Sequence, residues 1–271
     1  MTPLSHSSGP AQPLQVAVIG AGAIGGAVID ALEKGAISGA GLTAVLRSRS
    51  TEQEIIDAIE GADVVVEASS VEAAEEYIPR VTASGKDIIV CSCGVFARRE
   101  DPRDLVSRVP DAGRALVPAG AVGGLDVLSA AARAGTDDAH LRHYTIKGPA
   151  ALDVEEHLAE PREVFRGSAR EAALEFPLTS NASVALALAT IGLDRTEVIV
   201  IADPQVQRTR HVVEWESPMG SYELQFENSL DPDSGGRTSA ITAWSVAEVL
   251  DSLVMGAGPG VVVLAGDTGK A

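Results

Sequence analysis

An apolar run, L-Q-V-A-V-I at residues 14–19, leads straight into G-A-G-A-I-G at residues 20–25 and then into a helix-like stretch at 27–34. Strand, glycine turn and helix in that order leave few folds open. Gly20 permits a tight turn after the strand, Gly22 lets the backbone approach a phosphate, and Gly25 lets the helix pack close to the strand. The helix then begins at Ala23 and Ile24, whose backbone N–H groups have no partner inside the helix and, with the helix dipole, favour negative charge. The pattern predicts a dinucleotide held by its pyrophosphate at residues 20–25.

The surrounding sequence supplies the sheet this motif needs. Further apolar runs lie at 42–46, 63–68, 87–92 and 114–118, separated by helix-like segments such as 51–60 and 71–83. Short continuous Val/Ile runs are characteristic of strands buried on both faces, and their alternation with helices predicts βαβ units and a parallel sheet. After about residue 120 the rhythm changes. A helix is expected over 122–134 and another over 182–191, with strand-like segments at 141–147, 197–203, 211–216 and 221–228. The last two flank S-P-M-G, which predicts an antiparallel hairpin. An amphipathic helix over 238–253 is placed to return to the first unit. The expected fold is therefore α/β, a Rossmann dinucleotide-binding domain (14–120 with 238–271) joined to an α+β substrate and dimerisation domain (121–237), after a disordered polar arm at 1–13.

Where an acidic residue would hold both ribose hydroxyls of NAD, at the end of the second strand, this chain has V-L-R-S-R. Two guanidinium groups and a hydroxyl, on Arg47, Ser48 and Arg49, suit a 2′-phosphate, so NADP(H) is expected over NAD(H). Ser69 and Ser70 follow the third strand, and Cys93 and Gly94 follow the fourth; all four are expected to line the cofactor cleft. Glu67 reads equally as part of that lining or as a solvated strand end. Cys91 and Cys93 either face the nicotinamide or simply fill a tight strand end.

The charge balance, 38 acidic against 21 basic residues with a net charge of −17, repels phosphate backbones and anionic lipid. Nucleic-acid and membrane-surface partners are not expected, while a small anionic ligand in a locally basic pocket is compatible. No apolar run reaches the roughly 18 to 20 residues of a membrane span. The two cysteines, in C-S-C, are too close for an ordinary disulfide and suit a reduced, cytoplasmic setting. No third cysteine supports a zinc site, and no metal is expected.

The second half carries F-P-L-T-S-N-A-S-V-A (176–185), G-L-D-R-T-E-V-I-V-I-A-D-P (192–204), R-H-V-V-E (210–214) and R-T-S-A-I-T-A-W-S-V (237–246). With G-A-G-A-I-G, V-E-A-S-S, C-S-C-G-V and P-A-G-A-V-G-G-L-D ahead of them, this order resembles the L-aspartate dehydrogenase family over residues 15–253. The resemblance implies NAD(P)-dependent interconversion of L-aspartate and iminosuccinate, a Rossmann domain with a second domain for substrate and dimer contacts, and a homodimer. It places the catalytic histidine at His211 and the substrate-side asparagine at Asn181. Arg237, Thr238 and Ser239 join Asn181 as donors for the substrate's carboxylates. The chain departs from the family where Leu178 and Thr179 replace Lys-Asn, where Thr209 replaces an Asn, and where Arg237 replaces a lysine after apparent extra residues.

Oxidising an amine to an imine requires Cα against C4 of the nicotinamide, exclusion of bulk water, and a base with a pKa near 7 for the amine proton. Of the five histidines, His211 fits by the resemblance, although on bare sequence it reads as a plain strand residue. His6 lies in the polar arm and His157 in an acidic stretch. His140 and His143, three apart on a strand, should face opposite sides and so cannot form a metal pair. Two further readings stay open: a dehydrogenase or imine reductase for a different amino or imino acid, and a non-catalytic NADP(H) sensor.

Overall fold

The computed structural model describes residues 12–154, 158–234 and 238–256. In the first unit, β1 (Leu14–Ile19), α1 (Ala23–Glu33), β2 (Ala40–Leu46), α2 (Glu52–Glu60), β3 (Val64–Glu67), α3 (Val71–Ala83), β4 (Asp87–Val90) and β5 (Ala115–Leu116) follow one another. The strands form a parallel sheet in the order β2-β1-β3-β4-β5. Alternate residues of each strand enter two different cores. Val16, Val18, Val64, Val66 and Ile89 face α1, while Ala17, Ile19, Val65, Ile88 and Val90 face α2 and α3. Burial on both faces is why these strands read as unbroken apolar runs. Thr51 and Glu54 close a capping box at the start of α2, and the Ser70 hydroxyl accepts from Ala73 N at the start of α3.

The second unit contains α4 (Leu125–Ala134), β6 (His140–Lys147), β7 (Arg162–Ser168), α5 (Ala169–Glu175), α6 (Asn181–Ala189), β8 (Glu197–Ala202), β9 (Thr209–Ser217) and β10 (Gly220–Asn228). Its sheet runs β10-β9-β6-β8-β7, with β6 and β8 parallel and the other pairs antiparallel. β9 and β10 form the hairpin expected around S-P-M-G, closed by Gly220 at φ +151°. The chain then returns to the first sheet as α7 (Ile241–Val254), whose Val246, Val249 and Leu250 pack with Val28 and Leu32 of α1.

Some boundaries differ from expectation. α4 starts at Leu125 rather than 122, because Gly124 turns left-handed (φ +74°) as its cap. α7 starts at Ile241 rather than 238, because Ser239 bridges Leu230 and the backbone of 238–240 bonds to 229–231. Residues 1–11 of the expected arm and 257–271 of the first domain's return lie outside the described residues, as does His157.

The two sheets share a core. Ala169, Ala172, Val184, Val198 and Val200 of the second unit pack with Val81, Val95 and Phe96 of the first. Arg170 adds a polar clamp, donating to the carbonyls of Ala97 (2.8 Å) and Arg99 (2.5 Å) while pairing with Asp194 (2.6 Å).

Candidate active site

The glycine loop has the geometry its spacing predicts. Gly20 sits at φ +92°, and a Cβ there would stand 2.5 Å from the Ala68 carbonyl oxygen. A Cβ at Gly25 would stand 2.3 Å from the Gly20 carbonyl oxygen. At Gly22 a Cβ would meet nothing within 4 Å, so this backbone presents an open face. Gly22 caps α1 without a side-chain hydrogen bond, and the N–H groups of Ala23, Ile24 and Gly25 head the helix. The strand order reverses between β1 and β3, and such a switch point opens a crevice at the strands' carboxyl ends. Two glycines that tolerate no side chain beside one that leaves room for a ligand, at an uncapped helix N-terminus, fit a dinucleotide pyrophosphate.

Arg47, Ser48 and Arg49 lie exposed just past β2, and Leu46 O accepts from Gly20 N at 2.9 Å, tying that strand end to the loop. Glu67 is no solvated strand end: it is fully buried and accepts from Ser69 N (2.8 Å), Ser92 N (3.1 Å) and Ser92 Oγ (3.0 Å). It joins the turns after β3 and β4, and burial pushes its carboxyl pKa up against the lowering effect of those donors.

One pocket between the units brings together Ile24, Cys93, Asn181, Thr238, Ser239 and His211 of the expected site, with Cys91, Leu178, Thr179 and Lys147. Asn181, first residue of α6, accepts from Gly94 N at 3.2 Å, so these two expected residues are joined directly. Cys93 donates to Val90 O at 3.2 Å, and burial raises both thiol pKa values, so neither cysteine is a thiolate. Arg237 lies outside the described residues. Arg47, Ser48, Arg49, Ser69 and Ser70 do not line this pocket; they sit at the ends of β2 and β3, along the crevice. No group of three His, Cys, Asp or Glu side chains among the described residues is placed to hold a metal. No helix among them is long and apolar enough to cross a membrane.

His211 is held by a network that sequence reasoning missed. On β6, His140 is exposed and His143 buried, as alternation requires. Thr145 pairs in register with His211 of β9, which brings His143 onto the same face. The imidazoles stack at 5.2 Å with His143 Nε2 3.1 Å from His211 Nδ1. His143 Nδ1 is 2.8 Å from Ser183 Oγ, and Thr145 Oγ1 is 3.4 Å from His211 Nδ1. A consistent proton assignment runs His211 Nδ1–H to His143 Nε2 and His143 Nδ1–H to Ser183 Oγ. It leaves Nε2 of His211 as an acceptor toward the pocket. Burial holds His143 neutral, its pKa lowered to about 3. Burial, then His143, then Lys147 hold His211 well below the ordinary imidazole value rather than near 7. The only signal for this network was the period-2 register along β6, legible once β9 is set beside it.

Two family profiles match, one described as "Homoserine dehydrogenase, NAD binding domain" over residues 20–119 and one as "Aspartate dehydrogenase, C-terminal" over 126–253. L-aspartate dehydrogenase 2 of Bordetella pertussis is 35% identical over 253 residues, covering 86% of this chain and 94% of that protein. The chain belongs to the aspartate dehydrogenase family. L-aspartate dehydrogenase of Methanopyrus kandleri is 33% identical over 90% of this chain and 97% of its own length. The crystal structure of aspartate dehydrogenase from Thermotoga maritima superposes with a TM-score of 0.68 at 27% identity, covering 89% of this chain and 96% of that one. As a member of the aspartate dehydrogenase family the protein is an NAD(P)-dependent dehydrogenase, which sets aside the non-catalytic sensor reading. The two profiles meet at the segment between β5 and α4, where the chain passes from one sheet to the other.

Proposed function

We propose that this enzyme interconverts L-aspartate and iminosuccinate, with NADP(H) preferred over NAD(H). The observation that carries this reading is the pocket in which the head of α1, Asn181 and His211 converge. The bound nicotinamide supplies the hydride acceptor. His211 Nε2 takes the proton that leaves the substrate's α-amino group, and the resulting positive ring is stabilised by donating Nδ1–H to neutral His143. A substrate carboxylate beside the ring raises its proton affinity from the low value of the empty pocket. The same ring serves water addition to the imine, giving oxaloacetate and ammonia. Asn181, Thr238 and Ser239 are the donors for substrate, and Arg237 is assigned with them from the sequence. Gly20, Gly22, Ala23, Ile24 and Gly25 hold the pyrophosphate, while Ser69, Ser70, Cys93 and Gly94 border the cofactor. We assign the first sheet with α7 to the dinucleotide, and residues 121–237 to substrate and to the contacts of a homodimer.

Leu178, 64% exposed at the pocket, and Thr179 beside it favour a second reading, a different amino or imino acid. A panel of amino acids, read as NADP+ reduction, separates the two: L-aspartate gives the highest kcat/KM if the first holds, and a less polar amino acid does if the second holds.

The cofactor preference has its own test. Replacing Arg47 and Arg49 together with alanine is expected to lower kcat/KM for NADPH by about 10- to 100-fold, with the NADH value nearly unchanged, because two charge-assisted bonds to a 2′-phosphate are lost. Equal losses with both cofactors would refute the phosphate assignment.

A further inference from the structure

Glu67 is the last residue of β3, fully buried, and has no part in the chemistry assigned to His211. Donors engage both of its oxygens. Oε1 accepts from Ser69 N at 2.8 Å and from Ser92 Oγ at 3.0 Å, and Oε2 accepts from Ser92 N at 3.1 Å. A backbone N–H can only donate, so each oxygen already receives a proton from the main chain. The acceptor-only carboxylate is the form that satisfies all three bonds. These partners are uncharged, so none of them cancels its negative charge.

The second observation is where Ser92 stands. Its neighbours on either side, Cys91 and Cys93, line the pocket shared by His211 and Asn181, while no Asp or Glu among the described residues lines it. Glu67 therefore lies one layer behind the pocket wall, bonded to the main chain of the turn that forms it. Its charge reaches the wall: burial first, and then Glu67, hold the thiols of Cys91 and Cys93 above their ordinary pKa. The same turn runs on to Gly94, whose N–H is accepted by Asn181 at 3.2 Å. A buried negative charge is thus fixed where the carboxyl ends of β3 and β4 meet, beside the residues assigned to border the cofactor.

The two oxidation states of a nicotinamide cofactor differ by one charge in one place. The ring is a cation when oxidised and neutral when reduced, while the adenine, riboses and phosphates are common to both. A fixed carboxylate near the ring separates the two states through its field, which a low-dielectric interior screens weakly. A change in the shape of the turn would alter both alike.

We propose that the buried carboxylate of Glu67 is an electrostatic element of the cofactor site that favours the oxidised, positively charged nicotinamide over the reduced ring. It acts through the turn at 91–94 without touching the cofactor, and it biases the bound cofactor toward its oxidised state. The proposal rests on the cofactor placement given above and on no particular substrate.

Dissociation constants for NADP+ and NADPH, measured by calorimetry without substrate, test it, and their ratio is the readout. The wild type is expected to bind NADP+ at least as tightly as NADPH. Glu67→Gln, nearly isosteric and neutral, should shift the ratio toward NADPH by about 5- to 50-fold, the loss of one charge–charge attraction at intermediate dielectric. Glu67→Asp, shorter but charged, should keep most of the wild-type ratio. If the glutamine variant fails to fold, because its NH2 must face a backbone N–H, Glu67→Ser carries the test, its hydroxyl and a water serving the freed donors. The same ratio read with NAD+ and NADH frees the result from the 2′-phosphate assignment. An unchanged ratio in the neutral variant, including equal weakening of both forms, would overturn the proposal and leave Glu67 as a tie between two turns. A Glu67→Asp ratio equal to that of the neutral variant would overturn it, as would a wild type that holds NADPH more than about tenfold tighter than NADP+. No binding of any of the four dinucleotides would strike the cofactor placement and the proposal with it. A shifted ratio without turnover of L-aspartate would support the proposal while striking the proposed reaction.

Discussion

Replacing His211 with alanine is expected to lower kcat by about 10²- to 10⁴-fold, the usual contribution of a positioned acid–base group. Affinity for NADPH, read by its fluorescence, should be nearly unchanged, because the dinucleotide is assigned to the glycine loop and the ends of β2 and β3. The expectation follows from geometry. The ring is 2% exposed, its Nδ1 is engaged by His143 at 3.1 Å, and it lines the pocket shared by Asn181 and Ser239. His143 is a positioning residue, buried one ring further back and anchored to Ser183 at 2.8 Å. Near-normal turnover by His211→Ala would remove it from the chemistry.

Gly22→Ala should leave the melting temperature nearly unchanged and weaken NADP(H) binding by about tenfold or more, because the added methyl occupies the side on which the pyrophosphate approaches. The free protein accommodates it: a Cβ there meets nothing within 4 Å, and the residue sits at φ −76°, which alanine adopts readily. Gly20→Ala should do the opposite. It forces φ +92° on an L-residue and drives a methyl to 2.5 Å from the Ala68 carbonyl oxygen, costing about 2–5 kcal/mol of stability through backbone strain and overpacking. Thermal melts and cofactor titrations of the two variants separate a ligand-facing glycine from a packing one. A destabilised Gly22→Ala with normal cofactor affinity would contradict the role given to the loop.

The first sheet was legible because its strands are buried on both faces: V-V-V-E of β3 and D-I-I-V of β4 announce themselves as apolar runs. β7, R-E-V-F-R-G-S, gave no such run. It is an edge strand whose Arg166 reaches Glu163 (2.7 Å) and Glu197 (2.6 Å), and an exposed edge carries charge where a central strand carries valine. The start of α7 was misjudged because residues 238–240 bond to 229–231, a tertiary pairing that overrides helical propensity. Glu67 reads from sequence equally as cleft lining or as a solvated strand end, since its three donors come from turns that only the fold assembles.

The site divides in the same way. Gly20, Gly22 and Gly25 shape one local turn, so their spacing sufficed to predict its geometry. The pair His143–His211 joins residues 68 apart, and its existence depends on the register between β6 and β9.

The account stands or falls on one reaction. Purified protein is mixed with oxaloacetate, ammonium and NADPH, with NADH in parallel, and nicotinamide oxidation is followed. The account predicts rapid loss of NADPH that requires both oxaloacetate and ammonium, with slower loss of NADH. No ammonium-dependent oxidation of either cofactor, from protein that demonstrably binds NADPH, would contradict it.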